Sequence, residues 1–298
     1  MSIKSIFFNK PAKRKLEALK EYIYLLRKNK LSFTALIIIL SLVVIAIITP
    51  IIAPFASHIY GDVNPQDKLL APSRVYFLGT DEVGRDLFSR VLYGTRISLL
   101  GSLIAVAMGL LIGVPLGLIA GYYGGFIDEI IMRIVDMFLS FPPLLLAMAI
   151  AAFLGPSLQN AILALIIAWW PWYTRLIRGQ VVSIKEREFV RAAHAIGTPS
   201  WQIMFKHILP NCISPIIVQA SMDLGGIILT LAALSFLGLG AQAPTPEWGL
   251  MLTTSRKYFL NAWWYSTFPG MAIFITVLSF NLLGDGLREI LDPKTKKY

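Results

Sequence analysis

Long apolar runs alternate with short polar segments along most of this 298-residue chain. A helix rises about 1.5 Å per residue, so a run of about 20 apolar residues can cross the roughly 30 Å hydrocarbon layer of a bilayer. The pattern therefore predicts an all-α polytopic membrane protein. Its six predicted spans are residues 31–53, 96–121, 134–154, 158–177, 212–239 and 267–287.

The segment between the fourth and fifth runs has a different pattern. Residues 188–210, EFVRAAHAIGTPSWQIMFKHILP, are polar, basic and interrupted by glycine. The spacing of their apolar residues predicts a first helix that Gly197 ends, because glycine readily takes the left-handed conformation of a helix C-cap. Thr198 as N-cap and Pro199 as first helical residue predict a second helix, which Pro210 ends.

The first of these two helices carries small side chains at Ala192 and Ala193. Small side chains let another backbone approach closely. We therefore expect this helix to dock into a groove on a partner.

The distribution of basic residues predicts how the chain lies in the membrane. Residues 1–30 carry nine Lys or Arg and an apolar stripe, which predicts an interfacial helix on the inner leaflet, followed by a retained first span. With six spans, both termini lie on one side, which holds 20 Lys or Arg against seven on the other. The positive-inside rule then predicts that the termini and the 188–210 unit are cytoplasmic.

Composition narrows the classes of function. Hydrophobic residues make up 56% of the chain and charged residues 15%, as expected for a membrane protein. The net charge of +10 follows the predicted topology and is not gathered on one basic face, so nucleic acid is not an expected ligand. The single cysteine, Cys212, predicts packing. The histidines at 58, 194 and 207 lack the spacing of metal ligands, so we expect three unconnected surface histidines. No nucleophile or zinc-protease motif is present, so we expect no enzymatic activity and no cofactor.

One sequence resembles a phosphate-binding loop. Residues 79–86, GTDEVGRD, have its glycine spacing, but Asp86 stands where a hydroxyl would ligate magnesium. Asp81 and Glu82 would repel phosphate, so we expect no nucleotide binding by this chain. We interpret residues 79–93 as a capped amphipathic helix. Its predicted membrane face is Leu87, Phe88, Val91 and Leu92.

Two further patterns lie inside the predicted spans. In the second span a glycine recurs every four residues, which predicts a ridge against which another helix packs tightly: Gly109, Gly113, Gly117 and Gly121. Pro142 and Pro143 predict a bend in the third span, which suits either a pore element or a purely structural kink. Asp223 lies well inside the fifth span, where an acid is a functional candidate, with a packing or boundary role as the alternative.

These residues, taken together, resemble a known family. The 188–210 unit resembles the EAA loop in membrane subunits of type I ABC importers. Five further blocks resemble, in order, the C-type permease of dipeptide, oligopeptide and nickel importers: LGTDEVGRDLFSRVLYGTRISL (78–99), GYYGGFIDEIIMRIVDMFLSFP (121–142), LSFLGLG (234–240), PEWGLML (246–252) and FNLLGDGLREILDP (280–293). The resemblance covers nearly the whole chain.

The chain departs from the family pattern at three positions. Arg191 stands where the general motif has an acid, and His207 stands where it has isoleucine, although the peptide-importer branch commonly departs at both. Leu231 stands where the branch often has a glutamate before LSFLG. No role that needs a carboxylate is therefore transferred to that position.

The resemblance implies a type I importer transmembrane fold in the plasma membrane of a prokaryote. This chain and a B-type permease would form the translocation path, two cytoplasmic ATPase subunits would hydrolyse ATP, and an extracytoplasmic binding protein would deliver substrate. The implied divisions are residues 1–95 with the first span, the transmembrane domain at 96–287 and a tail at 288–298. The implied ATPase-coupling residues are Glu188, Ala192, Ala193, Gly197, Pro199 and Pro210.

Spans three to five are expected to line the path, with Phe141, Pro142, Asp223 and Ser235 as candidate residues. A secondary transporter driven by an ion gradient and a membrane scaffold that anchors ATPases are the alternatives. The sequence leaves the substrate open among dipeptides, oligopeptides, nickel chelates and oligosaccharides.

Overall fold

The computed structural model of the protein describes Tyr24, residues 27–59 and residues 61–291. Most of the predicted interfacial helix at 1–30, and the end of the tail predicted at 288–298, lie outside these residues. The described chain is helical, and its one β-bridge joins Thr80 and Asp86. The α-helices are α1 (Lys30–Ile52), α2 (Ala56–Ile59), α3 (Leu87–Tyr123), α4 (Gly125–Leu139), α5 (Pro143–Leu154), α6 (Leu158–Lys185), α7 (Glu188–Ala195), α8 (Ser200–Gln202), α9 (Leu209–Phe236), α10 (Trp248–Ser255) and α11 (Trp263–Leu291).

Three shorter elements complete the path. Single 3₁₀ turns lie at Pro65–Asp67 and Arg256–Tyr258. A π-helical turn at Ile203–Ile208 joins α8 to α9, so that Ser200–Phe236 is one continuous stretch of helix.

Among the described residues, four helical stretches are long and apolar enough to cross a membrane: α1, α3, Ser200–Phe236 and α11. The pair α4 and α5 would form a fifth span, bent by 85° at the break between them. This is the bend that Pro142 and Pro143 predict. The remaining predicted span, α6, has sufficient length, but its middle carries tryptophans, a proline and arginines that lower its hydropathy.

The glycine ridge of α3 lies directly against α6. A Cβ atom added at Gly113 would stand 2.7 Å from the Trp170 carbonyl oxygen, and one at Gly117 would stand 2.6 Å from the Thr174 carbonyl oxygen. Only hydrogen fits in that space, so the two backbones approach as closely as helices can. The ridge therefore fixes α3 and α6 side by side over several turns.

The prediction of a helix over 79–93 is wrong in its first half. The helix begins at Leu87, because the Asp86 side chain caps it by accepting from the Ser89 N–H at 2.8 Å. Residues 79–86 form a closed loop instead, and α3 then continues as one helix to Tyr123. Leu87 faces the protein core, with none of its surface exposed.

The predicted boundaries of the second helix in the 188–210 unit are also wrong. The N-cap is Pro199, without a side-chain cap, and Thr198 instead closes the first helix by donating its N–H to the Ala193 carbonyl at 3.1 Å. Pro210 does not end the helix but lies at the second residue of α9. The π-helical turn before it provides the wider backbone spacing that a proline ring requires.

Candidate functional sites

The 188–210 unit is attached to the body of the protein by an apolar inner face. Val190 and Ala193 of α7 are buried, as are Ile203 and Ile208 of the π-helical turn. They pack in one cluster with Leu118, Tyr122, Ile177, Val181, Ile184, Met204 and Cys212. Five of these partners come from the ends of α3 and α6, so the unit is fixed to the glycine-packed pair, while Met204 belongs to the π-helical turn and Cys212 to α9. The burial of Cys212 agrees with its predicted packing role.

A polar contact reinforces this attachment. The Tyr122 hydroxyl and His194 Nε2 lie 2.9 Å apart, and the two rings are stacked with centroids 6.0 Å apart. Lys185 donates to the Tyr122 carbonyl oxygen at 2.6 Å and lies over the Tyr122 ring. His194 is thus a connecting residue between α7 and α3, and the expectation of three unconnected surface histidines is wrong for it.

Gly197 gives the unit its sharp turn. Its φ of +77° lies in the left-handed region that side chains disfavour. Its N–H bonds to the His194 carbonyl at 3.0 Å, which together with the Thr198 bond completes a Schellman motif. The predicted C-cap glycine is therefore present, and no atom lies within 4 Å of the position where its Cβ would be.

The outer face of the unit is apolar and aromatic. Ile196 is 83% exposed, and Phe189, Trp201 and Phe205 are each about half exposed. Ala192 is exposed on this side, whereas Ala193 is only 6% exposed and faces inward. The expectation that both alanines form one contact surface is therefore corrected. We call Phe189, Ala192, Ile196, Trp201 and Phe205 the outer face.

Polar residues border the outer face. Arg191 donates to Glu186 at 2.7 Å, and this bond lowers the pKa of the exposed Glu186 carboxyl. Arg191 occupies the position at which the general motif has an acid, and it pairs with the neighbouring acid Glu186. Glu188, Pro199 and Pro210 are exposed.

The closed loop at 79–86 is built on buried charges. Asp81 is fully buried, and its Oδ2 lies 2.6 Å from Arg85 Nε and 3.5 Å from Arg90 Nε. Gly84 closes the loop, because a Cβ there would stand 1.8 Å from the Asn64 carbonyl oxygen. The glycine spacing that resembles a phosphate-binding loop thus serves close packing, and the acids of the loop bind the chain's own arginines.

His58 of α2 contacts the same loop. Its Nδ1 accepts from the Asp86 N–H at 3.0 Å, and its ring stacks on Phe55. It is therefore a structural residue of the loop rather than an unconnected surface group.

The LSFLGLG block at the end of α9 packs against the PEWGLML block at the start of α10. Ser235 is fully buried, and its Oγ accepts from the Ala241 N–H at 3.1 Å. Glu247 is also fully buried and caps α10 by accepting from the Leu250 N–H at 2.9 Å. Burial raises the pKa of its carboxyl. Sequence reasoning missed Glu247, since nothing local distinguishes this acid from a surface residue.

The four candidate path residues are not gathered in one cluster. Phe141 and Pro142 are exposed at the bend between α4 and α5, whereas Ser235 is enclosed by the turn after α9. Asp223 and Ser235 are twelve residues apart on α9, about 18 Å at the helical rise. The structure therefore gives these residues separate environments.

Ion pairs hold α4 to α6 beside the bend. Arg178 lies 2.6 Å from Asp128, and Arg175 pairs with Asp136. Asp223 differs from these acids. Its Oδ1 accepts from Gln219 at 3.1 Å, and it faces the neutral side chains of Trp169 and Tyr173 on α6. The described residues hold no group of three or more His, Cys, Asp or Glu side chains placed to bind a metal ion.

The helix order, the bent pair and the attached 188–210 unit define a membrane-embedded permease body. A solved structure of the MetNI methionine ABC transporter, in an inward-facing conformation, superposes on 67% of this chain and 96% of its own chain with a TM-score of 0.56. At 20% sequence identity this likeness shows the fold, which is that of a type I importer permease.

Sequence comparison identifies the family. Residues 113–297 match the family described as binding-protein-dependent transport system inner membrane component, and residues 19–72 match the N-terminal transmembrane domain of oligopeptide transport permease C. The chain belongs to this family of ABC importer permeases. It is a multi-pass inner-membrane protein that works with separate ATPase and substrate-binding subunits. The predicted fold class and family are confirmed.

Several curated relatives match over most of their length. The chain is 51% identical to the dipeptide transport system permease protein DppC of Alkalihalophilus pseudofirmus, covering 91% of this chain and 88% of the relative. It is 46% identical to the probable D,D-dipeptide transport system permease protein DdpC of Escherichia coli, covering 91% and 90%. It is 44% identical to the glutathione transport system permease protein GsiD of Pectobacterium atrosepticum, covering 90% and 89%.

Proposed function

We propose that this chain forms half of the translocation path of an importer for short peptides, with a related B-type permease as the other half. The relatives named above transport dipeptides or glutathione, which share a peptide backbone and a free ammonium group. This common chemistry favours short peptides over nickel chelates and oligosaccharides. A separate binding protein would select the peptide and deliver it to the outer side of the membrane.

The observation that carries the coupling role is the two-sided construction of the 188–210 unit. Its inner face is fixed to α3 and α6, and its outer face is apolar and exposed. An exposed patch of this kind on a small rigid unit suits a groove in a partner subunit. We propose that an ATPase subunit binds Glu188, Ala192, Gly197 and Pro199 together with the rest of the outer face, while Ala193 and Pro210 support the unit.

Coupling then follows from rigid attachment. When the ATPase subunits close on ATP, they move the unit, and the packed helices α3 and α6 move with it. A ligand shifts a conformational equilibrium only if its contacts differ between the two conformations. A rigid unit held in an ATPase groove provides such contacts, because it moves when the ATPase subunits close. The path residues, in this proposal, come from spans three to five and include Phe141, Pro142 and Asp223, with Ser235 exposed only if the turn after α9 opens.

The proposed orientation places the outer face in the cytoplasm. Ile196→Cys offers a specific test, since Ile196 is 83% exposed whereas the native Cys212 is buried. A membrane-impermeant maleimide is expected to label this variant in inside-out vesicles from cells that lack the ATPase subunits, which would otherwise cover the outer face, and not in intact cells. The unsubstituted protein, with Cys212 alone, is the control. Labelling in intact cells only would overturn the orientation.

The transport function is tested in proteoliposomes that contain both permeases, the ATPase subunits and the binding protein. ATP is expected to drive uptake of a labelled dipeptide, and ATPase subunits with an inactivated nucleotide site are expected to abolish it. Uptake that continued on an ion gradient with those inactive ATPases would identify a secondary transporter. Stable binding of ATPases without any ATP-dependent uptake would identify a scaffold.

A further inference from the structure

Asp223 is a carboxylate inside a membrane-spanning helix whose charge has no described counter-ion. Gln219 donates to Oδ1 at 3.1 Å, but Oδ2 is buried and has no hydrogen-bond partner among the described residues. The acids of α4 are different, since Glu129, Asp128 and Asp136 each pair with an arginine. A charged side chain at such a position is costly and usually marks a functional site.

A second buried polar group lies beside it. Tyr173 of α6 is fully buried, and its hydroxyl lies next to the Asp223 carboxylate, although within the described chain it makes no hydrogen bond of full geometric quality. Gly109 and Gly113 leave room for the Tyr173 ring, which fixes its position. A buried hydroxyl and a carboxylate oxygen that meet only loosely leave hydrogen-bonding capacity for a third group.

The side chains around Asp223 can orient a carboxylate without neutralising it. Gln219, Trp169 and Tyr173 are all uncharged donors. The two aromatic rings also provide faces that attract a cation. The missing component is therefore a positive charge that can donate hydrogen bonds, which is the chemistry of a primary ammonium group.

The Asp223 side chain is partly exposed on one face of α9, while its Oδ2 is buried. The position of a Cβ at Gly226, three residues later, has no atom within 4 Å. Gln219 and Thr230 lie on the same face at spacings of four residues, so the face is polar and uncrowded. Polar faces of membrane-spanning helices border the interior of the protein or an aqueous cavity.

We propose that Asp223, Tyr173, Gln219 and Trp169 form a transient site for the α-ammonium group of a peptide that crosses the membrane body. This assignment rests on the peptide importer proposed above. The ammonium group would donate to the partly exposed Asp223 carboxylate, over the face of Trp169, while the buried Tyr173 hydroxyl would donate to the same carboxylate from the other side. Partial exposure keeps the site weak, and a transport site must release what it binds.

The test uses the complete importer in proteoliposomes and measures peptide uptake per ATP hydrolysed. The probes are alanylalanine and its des-amino analogue N-propionylalanine, each at a concentration that saturates the binding protein. Asp223→Asn has the shape of a protonated aspartic acid without the negative charge. We expect Asp223→Asn to lower alanylalanine uptake per ATP hydrolysed by about tenfold or more, because a hydrogen bond between charged groups is lost. Uptake of the analogue per ATP hydrolysed is expected to stay unchanged.

Two further variants separate charge from packing. Asp223→Glu keeps the charge and is expected to retain much more uptake than Asp223→Asn at equal amounts of assembled complex. Ser98→Ala removes another buried hydroxyl that lacks a described partner, on α3, and is the matched control for Tyr173→Phe. We expect Tyr173→Phe, and not Ser98→Ala, to lower alanylalanine uptake severalfold.

Two results would overturn the assignment. If Asp223→Asn transports alanylalanine as well as the unsubstituted complex does, transport does not need a negative charge at residue 223, and the site holds no ammonium group. If it lowers the uptake of both probes equally, Asp223 acts without regard to the ammonium group. Failure of the proposed function is distinguishable from both, because the unsubstituted complex would then show no ATP-dependent uptake of alanylalanine.

Discussion

Gly117→Ala is expected to destabilise the permease, because its new Cβ would lie 2.6 Å from the Thr174 carbonyl oxygen and 2.8 Å from Ile177 Cβ. Neither atom is the end of a flexible side chain, so α3 and α6 must separate. Overpacking of this kind costs about 1 to 3 kcal/mol. The measurement is the thermal unfolding midpoint of the assembled complex in detergent, together with the fraction of permease that remains assembled.

The matched control is Gly179→Ala on α6. Its Cβ would meet no atom within 4 Å, and the change in helix propensity is the same. We expect this variant to be as stable as the unsubstituted protein. Equal stability of the two variants would show that α3 and α6 adjust to a methyl group and that close approach at Gly117 is not required.

Separation of α3 from α6 would also affect transport, because the 188–210 unit is fixed to both helices. We therefore expect the surviving Gly117→Ala complex to take up less peptide per ATP hydrolysed. The ridge is thus a structural requirement for transmission as well as for stability.

Gly197→Val is expected to uncouple ATP hydrolysis from uptake while leaving the permease inserted. The φ of +77° at this residue disfavours any side chain, and a β-branched one most, at a cost of about 1 to 2 kcal/mol. The strain would open the turn between α7 and α8 and displace the outer face relative to the body. We expect peptide uptake per ATP to fall by about tenfold, as measured in proteoliposomes.

Gly238→Val is a closely matched control for this prediction. Gly238 has a φ of +82° and open space around it, and it ends α9 with the same pair of hydrogen bonds that surrounds Gly197. The strain is therefore similar, but it lies outside the 188–210 unit. An unchanged ratio of uptake to hydrolysis in Gly197→Val, or an equal loss in Gly238→Val, would contradict a coupling role for this turn.

The features that the sequence predicted well depend on local or periodic rules. Gly109 to Gly121 recur every four residues, which places them on one helix face whatever the rest of the fold is. Pro142 and Pro143 interrupt a helix because the proline ring fixes φ and leaves no backbone N–H to donate. Gly197 takes a conformation that its neighbours in sequence alone make favourable.

The predictions that failed depend on contacts between distant residues. Thr198 has the sequence of an N-cap, but it belongs to the turn that closes the preceding helix, and the next helix begins one residue later. Residues 79–86 are predicted as the start of the amphipathic helix over 79–93, but the Asn64 carbonyl and the Asp81 ion pairs hold them as a loop. The sequence places Ala192 and Ala193 together as a docking surface, whereas the structure exposes Ala192 and buries Ala193.

The sequence by itself determined that this chain is a helical membrane protein of the importer permease family, because hydropathy, basic residue placement and short motifs are properties of contiguous segments. Only the tertiary structure decided which helix fills the glycine ridge, which side chains of the 188–210 unit face outward, and which acids are paired. Burial and charge pairing arise when distant segments meet, so Asp223 and Glu247 acquire their particular environments only in the folded protein.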